Sequence, residues 1–206
     1  YLPSRINPNR SVANRYFGVF YDGEIKVRGI AARRKHPASF IADTQMEIVS
    51  ILASKENPEE ALPIAIQCLR TRLRELRKHE VKPEKLIISQ RITREVGEYN
   101  SPPPAARAAA QIQSIGKIIK PGQRVRFLYV LGPSGVCAWN ESVSIDPMVI
   151  DVERYITLLV RAAEEVLQPF ESKRPIQDLI SARYQSNLFN YLNDKRQSEG
   201  GTLTFI

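Results

Sequence analysis

Cysteine and histidine are nearly missing from this sequence: 206 residues hold two of the first, Cys68 and Cys137, and two of the second, His36 and His79. The cysteines lie far apart and form no CxxC, which argues against a zinc site and against a disulfide framework, and leaves buried thiols in a reducing compartment as the expectation. No apolar run approaches the roughly 18 residues that a membrane-spanning helix requires, and no basic start followed by an apolar stretch marks a secretory signal. Together these absences lead to the expectation of a cytoplasmic protein without a membrane partner. The first residue is Tyr1 and not Met, which points to a leader ahead of the numbering. Self-contained chemistry is scarce as well. Ser134, in Gly132-Pro133-Ser134-Gly135, lacks the glycine spacing of a nucleophile elbow and reads as a turn. Gly116-Lys117 has no glycine five positions earlier and no Ser or Thr next, so it is not a phosphate-binding loop. Two-metal chemistry needs carboxylates that hold both ions a few ångströms apart. Asp22, Glu24, Asp43 and Glu47 fall in a turn or on an ordinary helix pattern and offer no such pair.

What is present is an apolar fraction of 43% and a net charge of +8. The first is enough for one domain, or two small ones, with a sizeable core. The charge is unevenly spread. Residues 1–35 carry +6, residues 36–69 carry −4, residues 70–94 carry +6 again, and residues 95–206 balance. Two basic blocks separated by an acidic one fit a side that faces a polyanion, for which nucleic acid is the commonest partner, and fit equally well a solvated basic face.

Residues 1–11 are rich in Pro, Asn and Ser without periodicity and read as an extended leader or linker. Arg15–Tyr21 and Glu24–Ile30 then flank Asp22-Gly23, a strong hairpin signal. A two-stranded hairpin is seldom stable alone, and Val19, Phe20, Ile25 and Val27 are apolar enough to call for a partner. Helical spacing runs from Ser39 to Ala53 and from Pro58 to His79, with Asn57-Pro58 as the break. In the second stretch Leu62, Ile66, Leu69, Leu73 and Leu76 line one face, while Arg70, Arg72, Arg74, Arg77 and Lys78 occupy others. Further expectations are a short strand over Leu86–Ile92, an alanine-rich helix from Ala105 to Gly116 led in by three prolines, and a strand over Arg124–Leu131. A helix over Asp151–Phe170 follows, capped by Asp151. The fold class is α+β.

Arg15-Tyr16-Phe17-Gly18, Asp22-Gly23, Lys26-Val27-Arg28-Gly29-Ile30 and Arg33-Arg34 together resemble the segment of archaeal family B DNA polymerases that leaves the palm and enters the thumb. Downstream, in that family's order, come Ile92-Thr93-Arg94 with Glu98-Tyr99, Ala105 to Ala110, Lys120-Pro121-Gly122-Gln123 before a strand, and Ile150-Asp151 with Arg154-Tyr155-Ile156. The resemblance runs from about Asn14 to Phe170. It implies a leader or linker at 1–11, a palm-edge hairpin at 12–35, a mostly helical thumb with a short β element at 36–172, and a tail at 173–206.

By the same resemblance, Arg15 and Tyr16 lie along the minor groove near the primer end, and Arg28, Arg33, Arg34, Thr93 and Arg94 hold phosphates, a task suited to a guanidinium fork or a small hydroxyl. Three departures qualify the match. Ala13 and Asn14 stand where the family usually has two lysines, the run Pro103–Arg107 lacks a histidine often found there, and the Asp-Thr-Asp motif with its metal ligand belongs upstream of Tyr1. The implied protein is therefore the small subunit, or a fragment, of a DNA-directed DNA polymerase. Its partners are primer–template DNA and a large chain carrying the catalytic carboxylates and Mg2+; this chain holds no cofactor and does not polymerise alone. The alternative is a non-catalytic DNA-binding or scaffold protein derived from a polymerase. In the tail, Gln185, Leu188, Tyr191 and Leu192 have the spacing of a sliding-clamp peptide, one helical turn presenting the three apolar residues on one face, and the same side chains would equally serve the chain's own core.

Overall fold

Asp22-Gly23 makes the turn its residue types suggest. The Asp22 carboxylate accepts the Glu24 N–H at 3.0 Å, and Gly23 takes a φ of +87°, where a Cβ is penalised. The turn joins strands β1 (Tyr16–Val19) and β2 (Ile25–Arg28), antiparallel in the register Tyr16↔Arg28, Phe17↔Val27, Gly18↔Lys26 and Val19↔Ile25. The computed structural model describes residues 2, 12–20, 22–33, 37–139 and 144–170, all within the unit Tyr1–Phe170. Among them β1 and β2 form a sheet of two strands only.

After the hairpin, helices α1 (Ser39–Ala53) and α2 (Pro58–Arg77) pack on each other and on the last helix, α4 (Val152–Leu167). Asn57 starts α2 by accepting the Glu59 N–H at 3.2 Å, Pro58 takes the first position, where no N–H is required, and Glu59 and Glu60 complement the helix dipole. The shared core holds Ile48, Val49 and Leu52 from α1, Ile66, Leu69, Leu73 and Leu76 from α2, and Leu159 and Val166 from α4. Leu62, expected on the buried face, is only half-buried; Ala61 and Ala65 are fully enclosed instead and allow close helix approach.

Beside the helices lies a three-stranded antiparallel sheet in the order β3 (Ile88–Arg91), β4 (Arg124–Tyr129), β5 (Val136–Ala138). Helix α3 (Pro104–Ser114) packs on it through Ala105, Ala106, Ala108 and Ala109. Gln111 of α3 closes the outer edge of β5, with its Nε2 donating to the Val136 carbonyl at 2.8 Å and its Oε1 accepting the Ala138 N–H at 2.7 Å. Tyr155 of α4 fastens the sheet to the helices: its hydroxyl accepts the Tyr129 N–H at 3.0 Å and donates to the Leu86 carbonyl at 2.9 Å.

The α+β class holds. Some boundaries differ from the sequence expectation. Helix α4 gives way at Gln168 to a 3-10 turn through Phe170, because Pro169 has no N–H to continue the ladder. Strand β5 was not expected at all. Leu86 closes a 3-10 turn that begins at Pro83, so β3 starts later than foreseen.

Candidate nucleic-acid interface

In an antiparallel pair, residues directly opposite each other share a face. The hairpin register therefore sorts into a polar side, Tyr16, Gly18, Lys26 and Arg28, and an apolar side, Phe17, Val19, Ile25 and Val27. On the polar side Gly18 has open space where a Cβ would be, so the strip is flat between Tyr16–Arg28 and the turn. Arg28 and Lys26 are exposed and Tyr16 is half-buried. Arg15 stands one residue before β1, with its Cγ so close to Gly29 that a Cβ there would lie 2.8 Å from it and would also overlap the Asn14 carbonyl oxygen. Gly29 has a φ of +70°, so glycine is required on both counts.

The chain leaving β2 is pinned from two sides. Ile30 is fully buried. The Ala31 N–H donates to Glu165 Oε2 of α4 at 2.8 Å, and the Ala32 N–H donates to Gln45 Oε1 of α1 at 2.6 Å. Gln45 Nε2 in turn donates to the Ala162 carbonyl at 2.6 Å and to Glu165 Oε2 at 3.4 Å. A buried carboxylate and a buried amide thus spend their hydrogen bonds on the backbone that carries Arg28 into Arg33, and a network of this kind tolerates little displacement. Arg33 is exposed at the end of that short 3-10 turn. Arg34, like Gln185, Leu188, Tyr191 and Leu192, lies outside the described residues.

Thr93 and Arg94 occupy a separate loop, folded around one phenol. The Tyr99 hydroxyl accepts the N–H groups of Thr93 at 3.1 Å and Arg94 at 3.0 Å, and lies 3.2 Å from Thr93 Oγ1. Both backbone N–H groups are thus spent on this one oxygen, and in the Tyr99–Thr93 hydroxyl pair either oxygen can be the donor. The hydrogen bond with the Thr93 side chain, followed by those from the backbone, holds the Tyr99 phenol below its ordinary value. Both Thr93 and Arg94 are exposed. The acids of this loop are occupied locally: the Glu95 N–H donates to Glu98 Oε2 at 3.3 Å in a reciprocal capping box.

The described residues thus bring Tyr16 and Arg28 together, fix Arg33 through the Glu165–Gln45 network, and set Thr93 and Arg94 on a loop of their own. Among them no group of three or more His, Cys, Asp or Glu could hold a metal ion, and no helix is long and apolar enough to cross a membrane. Cys68 and Cys137 are free thiols, both half-buried; burial, helped by Glu47, pushes the Cys68 thiol up to about 11.

Comparison with known proteins agrees with this architecture. The profile of DNA polymerase family B matches residues 13–170. A DNA polymerase of Pyrococcus horikoshii is 28% identical over 164 residues, 78% of this chain and 13% of that protein. A DNA polymerase of Desulfurococcus sp. strain Tok is 27% identical over 177 residues, 83% of this chain and 22% of its own length. Among solved structures, the family B DNA polymerase from the hyperthermophilic archaeon Pyrobaculum calidifontis shares the fold with a TM-score of 0.64 at 21% identity, over 80% of this chain and 21% of that one. The chain spans only 13 to 22% of the length of these proteins. With the greater part of its residues, 13–170, matched by the family profile, the chain belongs to DNA polymerase family B.

Proposed function

We propose that this chain grips primer–template duplex as the thumb and last piece of palm of a family B DNA polymerase, as a small subunit or fragment whose catalytic carboxylates and Mg2+ lie elsewhere in the enzyme. The observation that carries the reading is the two-faced hairpin. One side offers Tyr16, Lys26 and Arg28 to a polyanion, while the other is apolar and, with Val19 47% exposed, suits a partner sheet. A helical body holds the hairpin through Glu165 and Gln45, which favours a fixed grip over a mobile arm. Guanidinium groups and a threonine hydroxyl recognise phosphate irrespective of base, as a polymerase that must copy any sequence requires. Primer extension tests the proposal. The purified chain alone incorporates no nucleotide with Mg2+, and addition of a large family B chain that carries the palm aspartates gives processive synthesis. Magnesium-dependent extension by the chain alone overturns the division of labour. Duplex binding with no effect on any polymerase chain would instead fit a non-catalytic scaffold.

A further inference from the structure

Strand register places like charges together on the three-stranded sheet. Arg91 of β3 is the direct cross-strand partner of Arg124 in β4, and the neighbouring pair on the same face is Ser89 with Arg126. All three arginines are exposed. Among the described residues neither Arg91 nor Arg124 makes an ion pair. Like charges directly opposite each other in a sheet repel, so the pair weakens the strand contact that carries it. Pairing continues past this point, since the Ile92 N–H donates to the Gln123 carbonyl at 3.1 Å and the Gly122 N–H to the Ile92 carbonyl at 2.8 Å. The Thr93–Arg94 loop therefore leaves the sheet two residues beyond the Arg91–Arg124 pair. A bound anion turns the repulsion into attraction, and two guanidinium forks side by side match the oxygens of a phosphodiester.

We propose that this sheet face is a second phosphate-binding surface, in which Arg91 and Arg124 clasp the DNA backbone and Arg126 and the Thr93–Arg94 loop extend the track to either side. The inference rests on the reading of the chain as a duplex-gripping element and adds to it a surface that the hairpin does not include. Its occupant is duplex DNA, because the charges are spaced along a strand and no carboxylate partner meets the central pair among the described residues.

The test measures binding of the full chain to a short fluorescein-labelled duplex of arbitrary sequence, by anisotropy across salt from about 50 to 200 mM, a range over which phosphate contacts declare themselves. Arg91→Gln with Arg124→Gln should lower the slope of log K against log salt by roughly 1.8, two contacts at about 0.9 each, with the melting temperature unchanged or raised. Arg91→Glu should raise the melting temperature, by pairing with Arg124, while it weakens duplex binding further, a combination that a purely structural role would not produce. An unchanged slope in the double variant overturns the proposal, and so does weaker binding that appears only together with a fall in melting temperature. Arg33→Ala with Arg94→Ala separates the two levels of argument. If that variant flattens the slope and the Arg91/Arg124 variant does not, only the sheet face fails; if the wild-type chain binds no duplex at all, the gripping reading fails with it.

Discussion

Tyr155 is fully buried, and its hydroxyl accepts the Tyr129 N–H and donates to the Leu86 carbonyl across the joint between α4 and the sheet. Removing it by Tyr155→Phe leaves a buried donor and a buried acceptor unsatisfied, at a cost of about 1–3 kcal/mol, far more than loss of the hydroxyl volume would cause. Urea denaturation should report that loss. A pH dependence accompanies it. Burial raises the Tyr155 phenol above its ordinary value of 10.0, so the folded state keeps the proton after the unfolded chain has released it. The stability from this group is complete below about pH 10 and declines as pH rises beyond, and the wild-type chain should lose stability more steeply there than Tyr155→Phe does. Arg72 makes a useful contrast. Its guanidinium lies 2.8 Å from Glu47 and 3.1 Å from Glu75, yet its side chain is 34% exposed, and such pairs contribute no more than about 1 kcal/mol. Burial, and not the number of bonds, decides which residue matters.

The hairpin shows how a charged face and an apolar face on one element can be tested apart. Val19→Lys changes a residue that is 47% exposed and pairs with Ile25, so the isolated chain should keep its stability to within about 0.5 kcal/mol. The same change places a charge on the apolar side, at its turn end, and should abolish association with a large polymerase chain, read by size-exclusion chromatography of the mixture. If association survives, the partner sheet does not sit on that face. Much of this element was legible beforehand, because Asp22-Gly23 between β-rich runs is a local signal, as are the apolar periods of α1 and α2 and the Asn57 and Asp151 caps. Strand β5 escaped because three residues, Val-Cys-Ala, carry too little alternation beside a Gly-Pro-Ser-Gly turn. The anchor of Ala31 and Ala32 escaped for another reason: Gln45 and Glu165 meet from 120 residues apart, and nothing in either neighbourhood marks one as the partner of the other. The Arg91–Arg124 pair was likewise hidden, since the alternating Arg-Val-Arg of β4 was visible but its register against β3 was not.

For the molecule as a whole, the proposed thumb role implies a means of keeping such a polymerase on its template. The proposed grip on duplex would rest on phosphate contacts, which are strong at low salt and fade as counterions compete. Processivity at physiological salt calls for a topological tether, and the tail supplies a pattern for one in Gln185-Ser186-Asn187-Leu188-Phe189-Asn190-Tyr191-Leu192. In one helical turn Leu188, Tyr191 and Leu192 would share a face and fill a hydrophobic pocket on a sliding clamp, with Gln185 reaching backbone groups at its rim. Tyr191→Ala with Leu192→Ala should then abolish stimulation of primer extension by the clamp, measured with the complete polymerase. If the residues serve the clamp, the melting temperature and clamp-free duplex binding should stay nearly as they were. If the double variant instead melts many degrees lower, those side chains belong to the chain's own core and the clamp assignment falls.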